Sequence, residues 1–428
     1  VFIMLAATLG FWLDSRVLVL IVLFMLGFQS TLFGPIKYSI IPQVLKPRAL
    51  IGGNALVEMG TFVAILAGTI AGPLLMAVEA DWPVWVSGTG LVVAIGGYII
   101  SRGIPEAPAV APDLKVSWNF ITETMRNISF IGENRVVLNS VLGISWFWFF
   151  GATFLVQIPS YSENILGGDA ALMSTLLAMF IIGISTGSLL CEKLSGGQVE
   201  IGLVPLGAIG LTVFGIDMYF ASPASLTLYL GLGNFFATAS NWRIIFDLLM
   251  IGIFSGFYIV PLYALVQHRT TPSHRSRVIA GNNILNALLM VASSLMLVAM
   301  LAGGVSIPGI FLTLALLNVA VAIYIYTVIP EFLLRFAAWC LANVLYRVRV
   351  ENPGNIPAEG AAVLVANHVS FVDWLLMASA SPRPVRFVMD HEYSRLPLIR
   401  FLFRGAKVIP IASARPDPEL LERAFDRV

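Results

Sequence analysis

Charge is what this sequence is short of. Only 11% of its 428 residues are Asp, Glu, Lys or Arg, while 58% are hydrophobic; a soluble domain carries about 25% charged residues. An apolar surplus of that size has no soluble interior to fill and requires lipid as solvent. The formal net charge of +1 excludes a strongly basic nucleic-acid binder, so the placement of charge matters more than its sum. Cysteine is scarce as well. Cys191 and Cys340 lie far apart, which excludes a disulfide framework and a cysteine metal site. A charged leader is also missing. Val1 already stands in an apolar run, so the opening segment reads as a span cut by the edge of a fragment and not as a signal peptide.

What is present is a series of apolar runs. A bilayer core takes about 20 apolar residues in helix. The candidates are 1–13 (cut short), 17–36, 55–78, 84–101, 136–158, 171–191, 201–221, 246–266, 279–302 and 306–329, which makes ten. Segment 224–236 is a further apolar stretch, short and broken by Gly. Basic residues orient the spans. One set of alternate loops holds Lys46, Arg48, Arg102, Lys115, Arg126, Arg135, Lys193, Arg269, Arg275 and Arg277; the other holds Arg16 and Arg243. The first set is expected to be cytoplasmic, and everything after residue 330 falls on the same side. Asp217 and Asp247 are expected at the outer interface.

Composition changes after residue 330. Segment 331–349 mixes Trp339, Leu341 and Tyr346 with Arg335 and Arg347, which suits either a helix at the membrane surface or a plain linker helix. From residue 350 to 428 the sequence reads as α/β. Gly360–Ala366 has a buried-strand pattern, and Pro353, Pro357, Pro382 and Pro384 mark turns.

The membrane part repeats itself. Ile51-Gly52-Gly53-Asn54-Ala55-Leu56 recurs as Ile279-Ala280-Gly281-Asn282-Asn283-Ile284. Each copy follows a basic loop and a span with a late proline, Pro35 in one case and Pro261 in the other. The copies stand six spans apart, and a parallel repeat of six spans is the architecture of major facilitator transporters. On that reading span 17–36 is the fourth of twelve; the first two spans and part of the third are missing. The stretch Phe33-Gly34-Pro35-Ile36-Lys37-Tyr38-Ser39-Ile40, followed by Gly53-Asn54-Ala55-Leu56-Val57-Glu58, resembles bacterial lysophospholipid transporters of that superfamily. The resemblance implies lysophospholipid, chiefly lysophosphatidylethanolamine, moved from the outer to the inner leaflet.

Polar residues inside lipid are costly and face a cavity or a partner. Lys37, Asn54, Glu58 and Asn282 are the candidates for transport. Lys37 and Glu58 match the phosphate and ammonium of a zwitterionic headgroup, or pair with each other as a gate; Lys37 snorkelling and Glu58 capping a helix is the structural alternative. Gly183, Gly187, Glu192 and Lys193 resemble a degenerate facilitator loop motif.

The sharpest chemistry is at the other end, in Asn367-His368-Val369-Ser370-Phe371-Val372-Asp373. A His and an Asp five positions apart after a strand can fold back on each other. Asp373 would hold the imidazole tautomer, and His368 would take the proton of an alcohol attacking a thioester. The string resembles the first motif of glycerolipid acyltransferases, and most closely those that re-acylate lysophosphatidylethanolamine from acyl-carrier protein. In that group a lysophospholipid transporter can be fused to the acyltransferase. Gly405-Ala406-Lys407-Val408-Ile409-Pro410-Ile411 occupies the place of the second motif, with Arg404 and Lys407 as candidates for a phosphate or as solvated basic residues. The run Arg383–Arg404 interleaves arginines with Phe387, Tyr393 and Leu396 and suits anionic lipid or an acidic carrier protein. The family's third motif does not occur in this chain, so an incomplete active site is expected.

The expected fold is therefore a multi-spanning α-helical membrane protein of major facilitator type, truncated at its amino end, plus the first part of an α/β acyltransferase domain. The expected division is 1–330 transporter, 331–349 interfacial linker and 350–428 acyltransferase. The expected function is lysophospholipid flipping and re-acylation at a bacterial inner membrane with the carboxyl-terminal domain cytoplasmic; the alternative is a facilitator of another solute with a vestigial tail. Membrane lipid, lysophospholipid and acyl-carrier protein are the expected partners. No bound cofactor or metal is expected, and the acyl donor is a thioester of acyl-carrier protein or coenzyme A.

Overall fold

The computed structural model describes residues 1–76, 82–107, 119–195, 203–223, 231–328, 330–352, 355–357, 360–370, 372–381, 385–392 and 406–411. The chain divides into two compact units: 1–199 with 207–318, and 200–206 with 319–428.

The described residues form fourteen α-helices: α1 (Phe2–Trp12), α2 (Arg16–Val44), α3 (Leu50–Met76), α4 (Trp82–Ser101), α5 (Phe120–Gly132), α6 (Arg135–Asn164), α7 (Ala170–Ser195), α8 (Leu203–Ala221), α9 (Leu232–Ala237), α10 (Asn241–Arg269), α11 (Arg275–Ala302), α12 (Ile307–Val328), α13 (Pro330–Leu345) and α14 (Asp373–Ala380). Nine of them are long and apolar enough to cross a membrane: α2, α3, α4, α6, α7, α8, α10, α11 and α12; α1 is a shorter apolar helix. These ten are the segments expected from hydropathy, and they make the chain a multi-spanning helical membrane protein. Segment 224–236 yields no span among the described residues, only the six-residue α9.

Water cannot drive helices together inside lipid, so close backbone approach and buried polar contacts must do it. The closest approach is between α7 and α10, the most extensively packed helix pair. Gly183 and Gly187 on α7 meet Gly252 and Gly256 on α10. A methyl group on Gly183 would run into the Leu249 carbonyl and the Gly252 Cα, and one on Gly256 into the Ser188 amide. The two glycines expected to be a loop motif are thus half of a small-residue seam. Polar contacts fasten other helices: Ser145 Oγ donates to Asn286 Oδ1 (2.7 Å) between α6 and α11, and Trp146 Nε1 to Asn318 Oδ1 (2.8 Å) between α6 and α12. Asn318 Nδ2 in turn donates to the Ala208 carbonyl and to Thr212 Oγ1 on α8.

In the second unit, Ala338 and Ala342 on α13 bury against Leu375 and Ala378 on α14, with Val348, Val372, Leu376 and Phe387 around them. The amphipathic segment after residue 330 therefore has a protein partner for its small-residue face. Strands β1 (Val388–Asp390) and β2 (Ile409–Ile411) pair in parallel, Val388 opposite Ile409. The strand expected over Gly360–Ala366 does not form: the run has no strand partner among the described residues, and Val363 and Val365 are exposed. Alternating apolar residues make a strand only when a neighbour completes the ladder.

The seam makes a prediction. Gly183→Val and Gly252→Val each force backbones apart at a site with no flexible neighbour to yield. Overpacking of this kind costs about 1–3 kcal/mol, to be read as a lowered Tm of the protein in detergent, whereas Gly60→Val, where nothing lies within contact of the added group, leaves Tm unchanged.

Candidate functional sites

The carboxyl-terminal site is built on one turn. Asp373 is the first residue of α14, where the orphan N–H groups of a helix favour an anion. Its Oδ2 accepts the backbone N–H of Val369 (2.6 Å) and of Ser370 (2.9 Å), and stands 3.0 Å from His368 Nδ1. Ser370 Oγ accepts the Val372 N–H at 3.3 Å, closing the same turn. The Ser370 and Val369 amides, and then the His368 ring, hold the Asp373 carboxyl below its usual range. An ionised carboxylate only accepts, so the facing Nδ1 carries the hydrogen and Nε2 is left as the open acceptor. The exposed imidazole thus meets the first requirement of a general base, a fixed tautomer with its basic nitrogen outward. Of the expected residues, His368 and Asp373 come together.

Lys407 lines a cavity of about 430 Å³ with Arg386, Val408 and Ile409. Arg386 lies just before β1 and Lys407 just before β2, and the parallel pairing of the two strands brings the basic residues to one edge. Lys407 sits at φ 49°, in the left-handed region that favours glycine. Arg404 lies outside the described residues, as does most of the run Arg383–Arg404. Arg386 was not singled out as a ligand from sequence; only the strand register pairs it with Lys407.

The membrane unit gathers a second set of polar residues from α2, α3, α6, α10 and α11. Glu58 is fully buried and its Oε1 accepts the Tyr38 hydroxyl at 2.6 Å. Its Oε2 has no hydrogen-bond partner among the described residues. Lys37 does not close an ion pair with Glu58. Its amine donates to Thr61 Oγ1 (3.2 Å) and lies 4.6 Å from the centre of the Tyr38 ring. Tyr38 stacks on Tyr263 (centroids 4.3 Å, interplanar angle 3°), and Trp148 Nε1 donates to the Tyr263 hydroxyl at 3.3 Å.

Of the repeated asparagines, Asn54 grips α10. Asn54 and Gln267 exchange two amide hydrogen bonds of 2.7 and 3.0 Å, and Asn54 also donates to the Leu50 carbonyl. Asn282 is buried like Asn54, but neither its Nδ2 nor its Oδ1 has a hydrogen-bond partner among the described residues. Sequence reasoning missed Tyr38, Trp148, Tyr263 and Gln267. A signal existed for two of them, since each repeat's late proline is followed within three residues by a tyrosine, Pro35 by Tyr38 and Pro261 by Tyr263. Glu192 packs its carboxylate on Gly52 at the start of α3, where a methyl group would stand 2.5 Å from Oε1; an anion there complements the helix dipole. No group of three or more His, Cys, Asp or Glu residues suited to a metal occurs among the described residues.

The Asp373 turn makes a pH prediction. Its folded carboxyl lies below the unfolded value, so its contribution is complete above the ordinary carboxylate range of about 4 and is lost only as pH falls through the lowered value. Trp374 fluorescence should stay flat from neutral pH down through that range and change below it. In Asp373→Asn that acid transition should be gone.

Comparison with known proteins divides the chain in the same order. The Acyltransferase family model matches residues 347–424. The lysophospholipid transporter LplT of Klebsiella pneumoniae (strain 342) is 32% identical over 269 residues, 61% of this chain and 60% of the relative. LplT of Escherichia coli O157:H7 (strain EC4115 / EHEC) is 30% identical over 266 residues, and LplT of Enterobacter sp. (strain 638) is 31% identical over 254. The chain spans about 60% of the length of the first two of these relatives and 57% of the third. It thus joins a membrane region similar to lysophospholipid transporters to a segment that matches the acyltransferase family.

Proposed function

We propose that this chain belongs to a bifunctional phospholipid-remodelling protein: residues 1–330 flip lysophospholipid to the inner leaflet, 331–349 link, and 350–428 begin the domain that re-acylates it on the cytoplasmic side. The observation that carries the reading is the 3.0 Å contact of His368 Nδ1 with an aspartate fixed by two backbone amides, inside a segment similar to acyltransferases. In the proposed step His368 Nε2 takes the proton of the lysophospholipid hydroxyl. The oxygen bonds to the thioester carbonyl, the C–S bond breaks, and the departing thiolate takes up the proton. Acyl-carrier protein is the donor we favour, coenzyme A the alternative. Arg386 and Lys407 on the rim of their cavity, with Arg404, supply positive charge for a phosphate.

In the membrane part, Glu58 is proposed to meet the headgroup ammonium through Oε2, the oxygen that Tyr38 leaves open. Lys37, half-buried and held among the described residues by a threonine and a ring face, is proposed to meet the phosphate. Asn54 holds α10 against α3 through Gln267 so that the aromatic wall of Tyr38, Tyr263 and Trp148 keeps its place, and Asn282, whose side-chain atoms have no partner among the described residues, is proposed to offer its amide to the headgroup.

Two measurements on the intact protein test the two halves separately. His368→Ala should lower acyl transfer about 10²–10⁴-fold, the range of general-base catalysis, with flipping unchanged; undiminished transfer would remove His368 as the base. Glu58→Gln and Lys37→Met should each slow flipping of lysophosphatidylethanolamine about ten- to a hundredfold, the worth of one hydrogen bond to a charged group, with acyl transfer in detergent unchanged. Flipping that is absent in the wild type would favour a carrier of another solute, and flipping unaffected by either change would rule out this headgroup site.

A further inference from the structure

The two copies of the repeated asparagine have diverged. Asn54 is spent within the protein: its Nδ2 donates to the Leu50 carbonyl and to Gln267 Oε1, and its Oδ1 accepts from Gln267 Nε2. Asn282 is as deeply buried, only 1% exposed, yet neither its Nδ2 nor its Oδ1 has a hydrogen-bond partner among the described residues. An amide buried with both ends unpaired costs stability and calls for a reason.

Its neighbours on α11 fix where Asn282 lies. A methyl group on Gly281 would meet the Asn127 carbonyl of α5, and the Asn283 amide lies against Gly34 of α2, one turn before Lys37. Asn282 lies on the arc between these two sides, one turn before Asn286, which accepts the Ser145 hydroxyl of α6. Its depth matches that of the proposed headgroup residues. Lys37 stands seven residues from the end of α2 at Val44, Glu58 eight from the start of α3 at Leu50, and Asn282 seven from the start of α11 at Arg275. At roughly 1.5 Å per residue, all three lie about 10–12 Å from helix ends that border basic loops.

Under the function proposed above, on which this reading of Asn282 rests, Lys37 takes the phosphate and Glu58 the ammonium. A diacyl phospholipid carries the same two charges, so neither residue can tell it from a lysophospholipid. What distinguishes the lysophospholipid is the hydroxyl left by the missing acyl chain, in a 1-acyl lipid on the carbon next to the one that bears the phosphate. A hydroxyl both donates and accepts, whereas an ester oxygen only accepts. An unpaired amide, with an acceptor beside its donors, matches the first and leaves its own oxygen unpaired against the second.

We propose that Asn282 binds the free glycerol hydroxyl, Oδ1 accepting its hydrogen and Nδ2 donating to its oxygen, and thereby selects lysophospholipid over the diacyl parent. A site built to hydrogen-bond a hydroxyl penalises the analogue that lacks it, because the site's polar groups are then left unpaired.

The test compares flipping by the intact protein, in proteoliposomes, of lysophosphatidylethanolamine and of the same lipid with that hydroxyl replaced by hydrogen. Both lipids have one acyl chain, so chain number is held constant. The wild type should flip the deoxy lipid about ten- to a hundredfold more slowly, the worth of a hydrogen bond whose loss strands its partner. Asn282→Leu should flip both lipids at the slow rate. Its Tm in detergent should not fall, since no hydrogen bond within the protein is lost, whereas Asn54→Leu, which strands Gln267, should lower it. Equal rates for the two lipids in the wild type overturn the proposal, and that measurement needs no variant to fold. A preference that survives in Asn282→Leu overturns it as well, and so does a Tm lowered as in Asn54→Leu. If the wild type flips neither lipid, the headgroup site itself is wrong and the role of Asn282 falls with it. Flipping that depends on Lys37 and Glu58 but is indifferent to the hydroxyl leaves that site standing and removes only Asn282.

Discussion

A carboxylate enclosed by apolar protein cannot stand alone, and that constraint organises this molecule. Taking the charge out of water costs several kcal/mol even after relaxation, so every buried acid needs a donor, a cation or a proton. Glu58 takes the Tyr38 hydroxyl on one oxygen, and the Tyr38 ring is in turn pinned between Lys37 and Tyr263. Asp247 is buried with no hydrogen-bond partner for either oxygen among the described residues. Asp373 is the contrast. It lies outside the spans, and two backbone amides keep it ionised as an orienting acceptor. The same side-chain chemistry has three outcomes because donors are supplied differently in each place.

Helix α10 is where the membrane unit converges. Its middle approaches α7 through glycines, without intervening side chains. Its far end carries Tyr263 and Gln267 toward Tyr38 and Asn54, and its near end carries Arg243 toward α8. A shift of α10 along the glycine seam would be felt at both ends, since glycine against backbone offers no compliant side chain to absorb it. That is the physical route by which events at the two ends of the helix can be linked. The partners at both ends are discrete hydrogen bonds that are either made or broken.

Much of this architecture is legible in the sequence, and for an identifiable reason. Ten apolar runs became ten helices because a bilayer leaves the backbone no other way to satisfy itself. His368 and Asp373 could be paired because five residues of separation allow only a local turn. What could not be read depends on register between elements distant in sequence. Gln267 is 213 residues from Asn54, and nothing near either residue names the other. Arg386 meets Lys407 only through the pairing of β1 with β2. The run Gly360–Ala366 has a strand's pattern without a strand's neighbour among the described residues, and the packing of Gly183 and Gly187 on Gly252 and Gly256 joins helices far apart in sequence.

The two candidate reactions make opposite demands on their surroundings, and the sequence meets each demand where it arises. A headgroup crossing lipid would need counter-charges that are held by neutral groups but not yet joined to each other. Lys37 and Glu58 rest on Thr61 and Tyr38 and not on each other, so under the proposed function an arriving zwitterion would exchange weak neutral contacts for charged ones and need not break a buried ion pair first. A general base, by contrast, must face outward with its tautomer fixed before substrate arrives. The Asp373 turn does this with backbone amides, which neither titrate nor change rotamer, so the orientation of His368 survives in an exposed loop. Exchanging the two designs would defeat both: a backbone-fixed anion in the span would hold its ligand without release, and a tyrosine-held acid in the loop would leave the imidazole free to turn.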